Sequence, residues 1–215
     1  AIADSMNVCA VKTLTEITPQ LGFDYLLNFG FTTLVQNRTE KDGSVVSDIQ
    51  QPLALGGITD GITNLEITAA YATIANQGTY TRPVFYSKVV DSNGRILLDN
   101  TTPTTHTVLK SSTASLLTQG MTSVITEGTG KACALTDGMP VSGKTGTTSS
   151  AYDLWFCGYT PYLTASIWTG YDENKELGSD QAYHERLWSK IMSQIDQVKG
   201  YKIKDFEMSD DVEEV

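Results

Sequence analysis

Histidine is nearly absent from this 215-residue chain, which has only His106 and His184. Cysteine is almost as scarce: Cys9, Cys133 and Cys157 form no C-x-x-C pair. A structural zinc site needs about four closely spaced ligands of these types, so no metal is expected. The three thiols are expected to be buried and free. No apolar run approaches the roughly 20 residues of a membrane span. Basic residues are outnumbered, 15 Lys and Arg against 25 Asp and Glu, which is the wrong balance for a duplex-binding surface. No nucleic-acid partner is expected.

Much of that acidity sits at one end. DFEMSDDVEEV, the last eleven residues, holds six acids and no base; the rest carries 19 acids against 15 bases. Residues 199–215 therefore read as a solvated, poorly ordered tail or linker, and residues 1–198 as the folded part.

Along the chain, helices come first. Met6 to Ile17 and Pro19 to Phe29 have helical spacing, and the second carries Pro at its start and Gly30 at its end. Gln36 to Asp48 reads as a polar surface loop. Thr63 and Glu66 form a capping-box pattern ahead of a third helix that Gly78 closes. Val84 to Val90 and Arg95 to Leu98 flank Asp91-Ser92-Asn93-Gly94 as a hairpin. Ser111 to Thr126 reads as a helix burying Leu116, Leu117, Met121, Val124 and Ile125, and tolerating Gly120. Three strands follow at Pro140–Thr147, Asp153–Tyr159 and Thr164–Tyr171. A closing helix, Ala182–Val198, aligns Leu187, Ile191, Ile195 and Val198. This order predicts an α/β chain of the α+β type, an antiparallel sheet flanked by helices.

Two chemistries compete for Lys144. Gly138 to Thr145 matches G-x-x-x-x-G-K-[ST], a phosphate-binding loop. Such a loop joins an apolar strand to a helix whose N-terminus faces phosphate. GTGKACALTDG is no strand, and GTTSSAYD starts no good helix. The nucleotide-hydrolase reading is accordingly remote. Lys144-Thr145-Gly146 also matches the K-T-G of serine acyltransferases that react with penicillin, and Ser5-Met6-Asn7 matches their S-x-N. On a strand, Ser142, Lys144 and Gly146 share one face.

ALGGITDGITNLEITAAYATIANQGTYTRP, VITEGTGKA, SGKTGTT and DLWFCGYTPYLTASIWTGYD extend the likeness. From Ala1 to about Ile195 the chain resembles the transpeptidase domain of class A penicillin-binding proteins. The resemblance implies the serine D,D-peptidase/β-lactamase-like fold, here incomplete at its N-terminus. It implies crosslinking of peptidoglycan stem peptides at the extracytoplasmic face of a bacterial membrane, anchored through a segment not in this chain. It also implies β-lactam binding and no cofactor.

By that resemblance Ser5 relays a proton and Asn7 bonds the first-motif lysine and the substrate amide. Lys144 supplies charge beside Ser5. Thr145, Gly146 and Thr147 bind substrate, the two threonines through a carboxylate, and the Thr147 backbone N–H is half of an oxyanion hole. The family's nucleophile lies in a Ser-x-x-Lys element ahead of S-x-N. This chain contains no such element; Thr107 to Lys110 is the nearest imitation. The expected partner is a preceding segment that carries it, and the alternative is a non-catalytic peptidoglycan- or partner-binding module of the same fold. Gly128-Thr129-Gly130 reads equally as a cleft loop or a helix stop. Asp24 to Asn28 reads as a helix surface. Trp155, Trp168, Tyr159 and Tyr171 read as core and sheet-face aromatics.

Overall fold

A computed structural model describes residues 1–178, 180 and 182–212. Its centre is a three-stranded antiparallel sheet in the order β7-β8-β9, from β7 (Ser142–Thr147), β8 (Asp153–Tyr159) and β9 (Thr164–Gly170). The two hairpin connections are short, so the pairing is continuous from Ser142↔Tyr159 to Tyr159↔Thr164. Side chains alternate across the sheet, and β8 is buried on both faces. Cys157 and Tyr159 face α3 (Asn64–Ala75) and α4 (Ser111–Thr126), where the Tyr159 hydroxyl meets Thr118 Oγ1 at 2.7 Å. Phe156 faces the other way, edge-on to Trp188 of α5 (Tyr183–Lys199) with ring centroids 4.9 Å apart. The cross-strand glycines Gly143 and Gly158 make that ring's seat. A β-carbon on either would lie 2.6 Å from a Phe156 ring carbon.

The N-terminal helices α1 (Asn7–Ile17) and α2 (Pro19–Asn28) close a second core of Leu14, Phe23 and Leu53. Asp48 organises the chain beside it. Fully buried, its carboxylate accepts from Val35 N at 2.7 Å, Thr59 N at 2.8 Å and Thr59 Oγ1 at 2.5 Å. Burial opposes its charge, but these donors outweigh burial and hold its carboxyl below the usual range. The Thr63–Glu66 capping box opens α3, and Glu66 also accepts from Thr32 N and Oγ1. The remaining strands form three two-stranded ribbons. β1 (Arg38–Thr39) pairs with β2 (Val45–Val46) inside the predicted loop. β3 (Thr79–Thr81) pairs with β6 (Thr105–Thr107), and β4 (Lys88–Val90) with β5 (Ile96–Asp99) in the predicted hairpin.

Three expectations need correction. On α5 the inner face is His184, Glu185, Trp188, Ser189, Met192 and Asp196, whereas Leu187, Ile191 and Val198 are exposed. Trp188 decides the orientation: its ring fills the space over Phe156 and its Nε1 donates to Ala165 O at 3.0 Å. On α4, Leu116 is exposed and the small residues Ala114, Ser115 and Thr118 are buried, because the helix lies close against β7.

The third concerns the tail. Residues 201–212 lie along the protein rather than in solvent. Tyr201 stacks on Tyr162 at 4.3 Å and Phe206 meets Tyr159 edge-on at 5.5 Å. Ser209 N donates to Ser115 Oγ at 2.9 Å, and Gln77 Nε2 to Glu207 O at 2.6 Å. Tyr201, Phe206 and Met208 turn inward while Asp205, Glu207, Asp210 and Asp211 stay exposed. The acids mark the outer side of an anchored strap. Glu213 and Glu214 lie outside the described residues.

Candidate active site

Ser5 closes a turn before α1, in which Ser5 N donates to Ile2 O at 3.2 Å and Met6 N to Ala1 O at 3.0 Å. Its φ of 53° is left-handed, a conformation costing a non-glycine residue about 1–3 kcal/mol. The turn aims the hydroxyl at β7. There Lys144 Nζ donates to Ser5 Oγ at 2.7 Å and to Thr145 O at 3.2 Å. Lys144 is half-buried, and burial lowers its pKa. None of the ion pairs among the described residues involves it. A lysine in this state gives up a proton more readily than an exposed one. Having accepted from Lys144, the Ser5 hydroxyl keeps its own proton for a further partner.

Among the described residues β7 is paired on one side only. Thr148 N donates to Asp153 O at 3.1 Å, so alternate residues back along the ladder, Gly146 and Lys144, also bond toward β8. Thr147 falls between Gly146 and Thr148, and its N–H points to the open edge. Its side chain is exposed. Gly146 packs against Trp155, where a β-carbon would lie 3.2 Å from Trp155 Cβ. The Thr145 hydroxyl lies 2.7 Å from Thr129 Oγ1.

Ser5, Lys144, Thr145, Gly146 and Thr147 therefore gather at one edge. Asn7 begins α1 with its side chain exposed, and the structure does not join it to Ser5 or Lys144. Thr129 is the residue underweighted in the sequence. Its N–H donates to Ala3 O at 3.1 Å, and at Gly128 a β-carbon would lie 2.2 Å from the same oxygen. The tripeptide after α4 is thus wedged between the Ser5 turn and β7. Its only sequence signal was a hydroxyl between two glycines.

The other candidates settle as structure. Lys144 lies inside β7, opposite Cys157, and only a short 3-10 turn, Ser149–Ala151, follows the strand. Among the described residues no α-helix follows directly on this strand, which removes the phosphate-loop reading. Asp24 is an exposed α2 residue bonded to Gln20, and His106 Nε2 lies 2.9 Å from Asn28 O. His184 is buried against Trp155 O. Cys133 and Cys157 are buried free thiols, and Cys9 is half-buried. Burial pushes the Cys157 thiol up to about 12 and raises that of Cys133 further, which disfavours the thiolate form of both.

Residues 1–193 match the family model for the penicillin binding protein transpeptidase domain. Penicillin-binding protein 1A of Aquifex aeolicus is 33% identical over 211 residues, 97% of this chain and 26% of that protein. Penicillin-binding protein 1F of Bacillus subtilis is 34% identical over 203 residues, 90% of this chain and 26% of that protein. The chain spans about a quarter of the length of the curated relatives it matches. Among solved structures, penicillin-binding protein PonA1 of Mycobacterium tuberculosis superposes with a TM-score of 0.69 at 28% identity, over 88% of this chain and 52% of that one. Its complex with penicillin V gives 0.64 at 25% identity, over 79% and 46%. The chain belongs to the penicillin-binding protein transpeptidase domain family.

Proposed function

We propose that this chain supplies the S-x-N and K-T-G elements of a peptidoglycan D,D-transpeptidase. The observation that carries the reading is the 2.7 Å contact of Lys144 Nζ with Ser5 Oγ, between residues 139 apart in sequence. A serine nucleophile from the segment preceding Ala1 attacks the carbonyl of the penultimate D-Ala of a stem peptide. The developing oxyanion is held by the Thr147 N–H, aimed off the open edge of β7. Ser5, polarised by Lys144, passes a proton to the departing D-Ala amine and takes up in its place the proton that the nucleophile gives up on attack. An amine of a neighbouring strand then takes the acyl group, and Ser5 carries its proton back toward the nucleophile. The substrate carboxylate lies at Thr145, Thr147 and the Lys144 charge. Asn7 closes on the substrate amide once the preceding segment is in place. No step calls for a metal or organic cofactor. The ring-opening acylation by a β-lactam uses the same groups.

Two surfaces support a partner segment. Among the described residues β9 pairs with β8 alone, and α5 exposes Leu187 and Ile191. Adding strands beside β9 would continue the sheet beneath that apolar stripe. Residues 1–198 are then the C-terminal portion of a domain whose first portion carries Ser-x-x-Lys. The site works outside the cytoplasmic membrane and is anchored through another segment. No described helix is long and apolar enough to cross a membrane.

The test is intact-mass spectrometry of the protein together with its preceding segment, before and after benzylpenicillin. One added penicillin mass, located on that segment, is the expected result. No adduct on any residue would leave a non-catalytic module of the same fold.

A further inference from the structure

The proposed site gives Thr145 the substrate carboxylate, and the present inference rests on that reading. Thr129 Oγ1 and Thr145 Oγ1 lie 2.7 Å apart. Two hydroxyls at this distance share one proton, so one donates and the other accepts. Were Thr145 the donor, its proton would be spent on Thr129. With Thr129 as donor, the Thr145 proton is free for an acceptor outside. A carboxylate only accepts, and a hydrogen bond to a charged acceptor is the stronger of the two.

We infer that Thr129 is a positioning residue of this site: its hydroxyl donates to Thr145 Oγ1 and turns the Thr145 O–H outward to the carboxylate of a stem peptide or β-lactam. The placement of Thr129 is fixed from both sides. Its N–H is held by Ala3 O, and Gly130 N donates to Val124 O at 2.9 Å. Gly128 leaves no room for a side chain against Ala3. A helix stop explains the two glycines, since Gly128 N closes on Ser123 O at 2.9 Å. It does not explain a hydroxyl at 129 that reaches a strand 16 residues away. The tripeptide therefore does two things. It sets the distance between the Ser5 turn and β7, and it sets the proton direction at Thr145.

The experiment uses the protein with its preceding segment and benzylpenicillin. Rapid-mixing acylation kinetics separate the noncovalent dissociation constant from the acylation rate constant. Thr129→Val keeps the shape and removes the donor. It should weaken the noncovalent complex roughly three- to tenfold, the worth of one hydrogen bond between neutral groups. The acylation rate constant should stay within about twofold, because the reacting atoms are untouched. Thr129→Ser should restore affinity, and Thr129→Val should add nothing in a Thr145→Val background. Unchanged affinity in Thr129→Val, an equal loss in Thr129→Ser, or full additivity with Thr145→Val would each overturn the assignment. If Thr129→Val lowers the melting temperature, the cycle with Thr145→Val decides, since a general loss of fold is additive and a shared proton is not. Wild-type protein that takes up no penicillin would sink the transpeptidase reading, and this role with it.

Discussion

Lys144 donates to a serine held in a left-handed backbone: Ser5 carries φ 53° and accepts from Lys144 Nζ at 2.7 Å. The strain and the bond belong together, since an extended Ser5 would carry its hydroxyl off β7. Ser5→Ala and Lys144→Ala should each slow penicillin acylation by about 10²–10⁴, the usual range for a lost proton-transfer group. The double variant should be little worse than either single one, as groups acting in one relay are non-additive. Burial lowers the Lys144 pKa, so the alkaline fall in acylation should come at lower pH than for an exposed lysine near 10.4. Acylation-rate profiles across pH 6–11, roughly spanning the lysine range, check this. A limb unmoved in Lys144→Arg would dissociate it from Lys144.

Asp48 gives a stability prediction with a definite sign. Its folded pKa is depressed, because donors from Val35 and Thr59 outweigh burial. Its contribution is therefore complete above the unfolded value near 3.9 and is lost as pH falls through the lower folded value. Asp48→Asn replaces one acceptor oxygen with an amide NH2 facing donors and should cost about 1–3 kcal/mol at pH 7. Urea unfolding of both proteins should show that gap narrowing as pH drops below about 4. A gap of constant size down to acid would mean the charge is not what the three donors hold.

Gly143 tests the seat of Phe156. Gly143→Ala places a β-carbon 2.6 Å from Phe156 Cζ and from Cys157 O. Overpacking of this kind should cost about 1–3 kcal/mol and shift the neighbouring Lys144. Phe156→Leu relieves the ring contact but not the backbone one, so the double variant should recover stability only in part. Thermal melts of the four proteins read this directly. Full recovery would show that the Cys157 carbonyl yields.

What the sequence disclosed follows from how local the cause is. Helix limits were legible because their signals are local: Pro19, the Thr63–Glu66 box and Gly78 act on neighbouring residues. Strands β7 to β9 were legible because a two-residue period and short turns leave one arrangement. The inner face of α5 was not. Four aliphatic residues at helical spacing outweighed Trp188 and Met192, yet a helix face is chosen by what stands opposite, here Phe156. Ser5 and Lys144 were legible as motifs, while Thr129 needed the fold, since its partners Ala3 and Thr145 are remote in sequence. Net charge misled for residues 201–212, because an average over the segment hides which side chains turn inward.

That strap yields the last prediction. Phe206 meets Tyr159, Ser209 N reaches the buried Ser115 Oγ, and Gln77 Nε2 donates to Glu207 O, so one aromatic ring and a few hydrogen bonds hold residues 206–209. Asp205 between Lys204 and Phe206 is exposed. Phe206→Ala removes roughly half of a buried aromatic contribution, about 1–2 kcal/mol, leaving hydrogen bonds to hold residues 206–209. The segment should then open locally without global unfolding, as weakly anchored chain ends do. Limited proteolysis should cut within 201–212 faster in Phe206→Ala, and Asp205→Asn should match wild type. If charge rather than the ring controls this segment, the order reverses: Asp205→Asn would be protected, and Phe206→Ala would be cut at the wild-type rate.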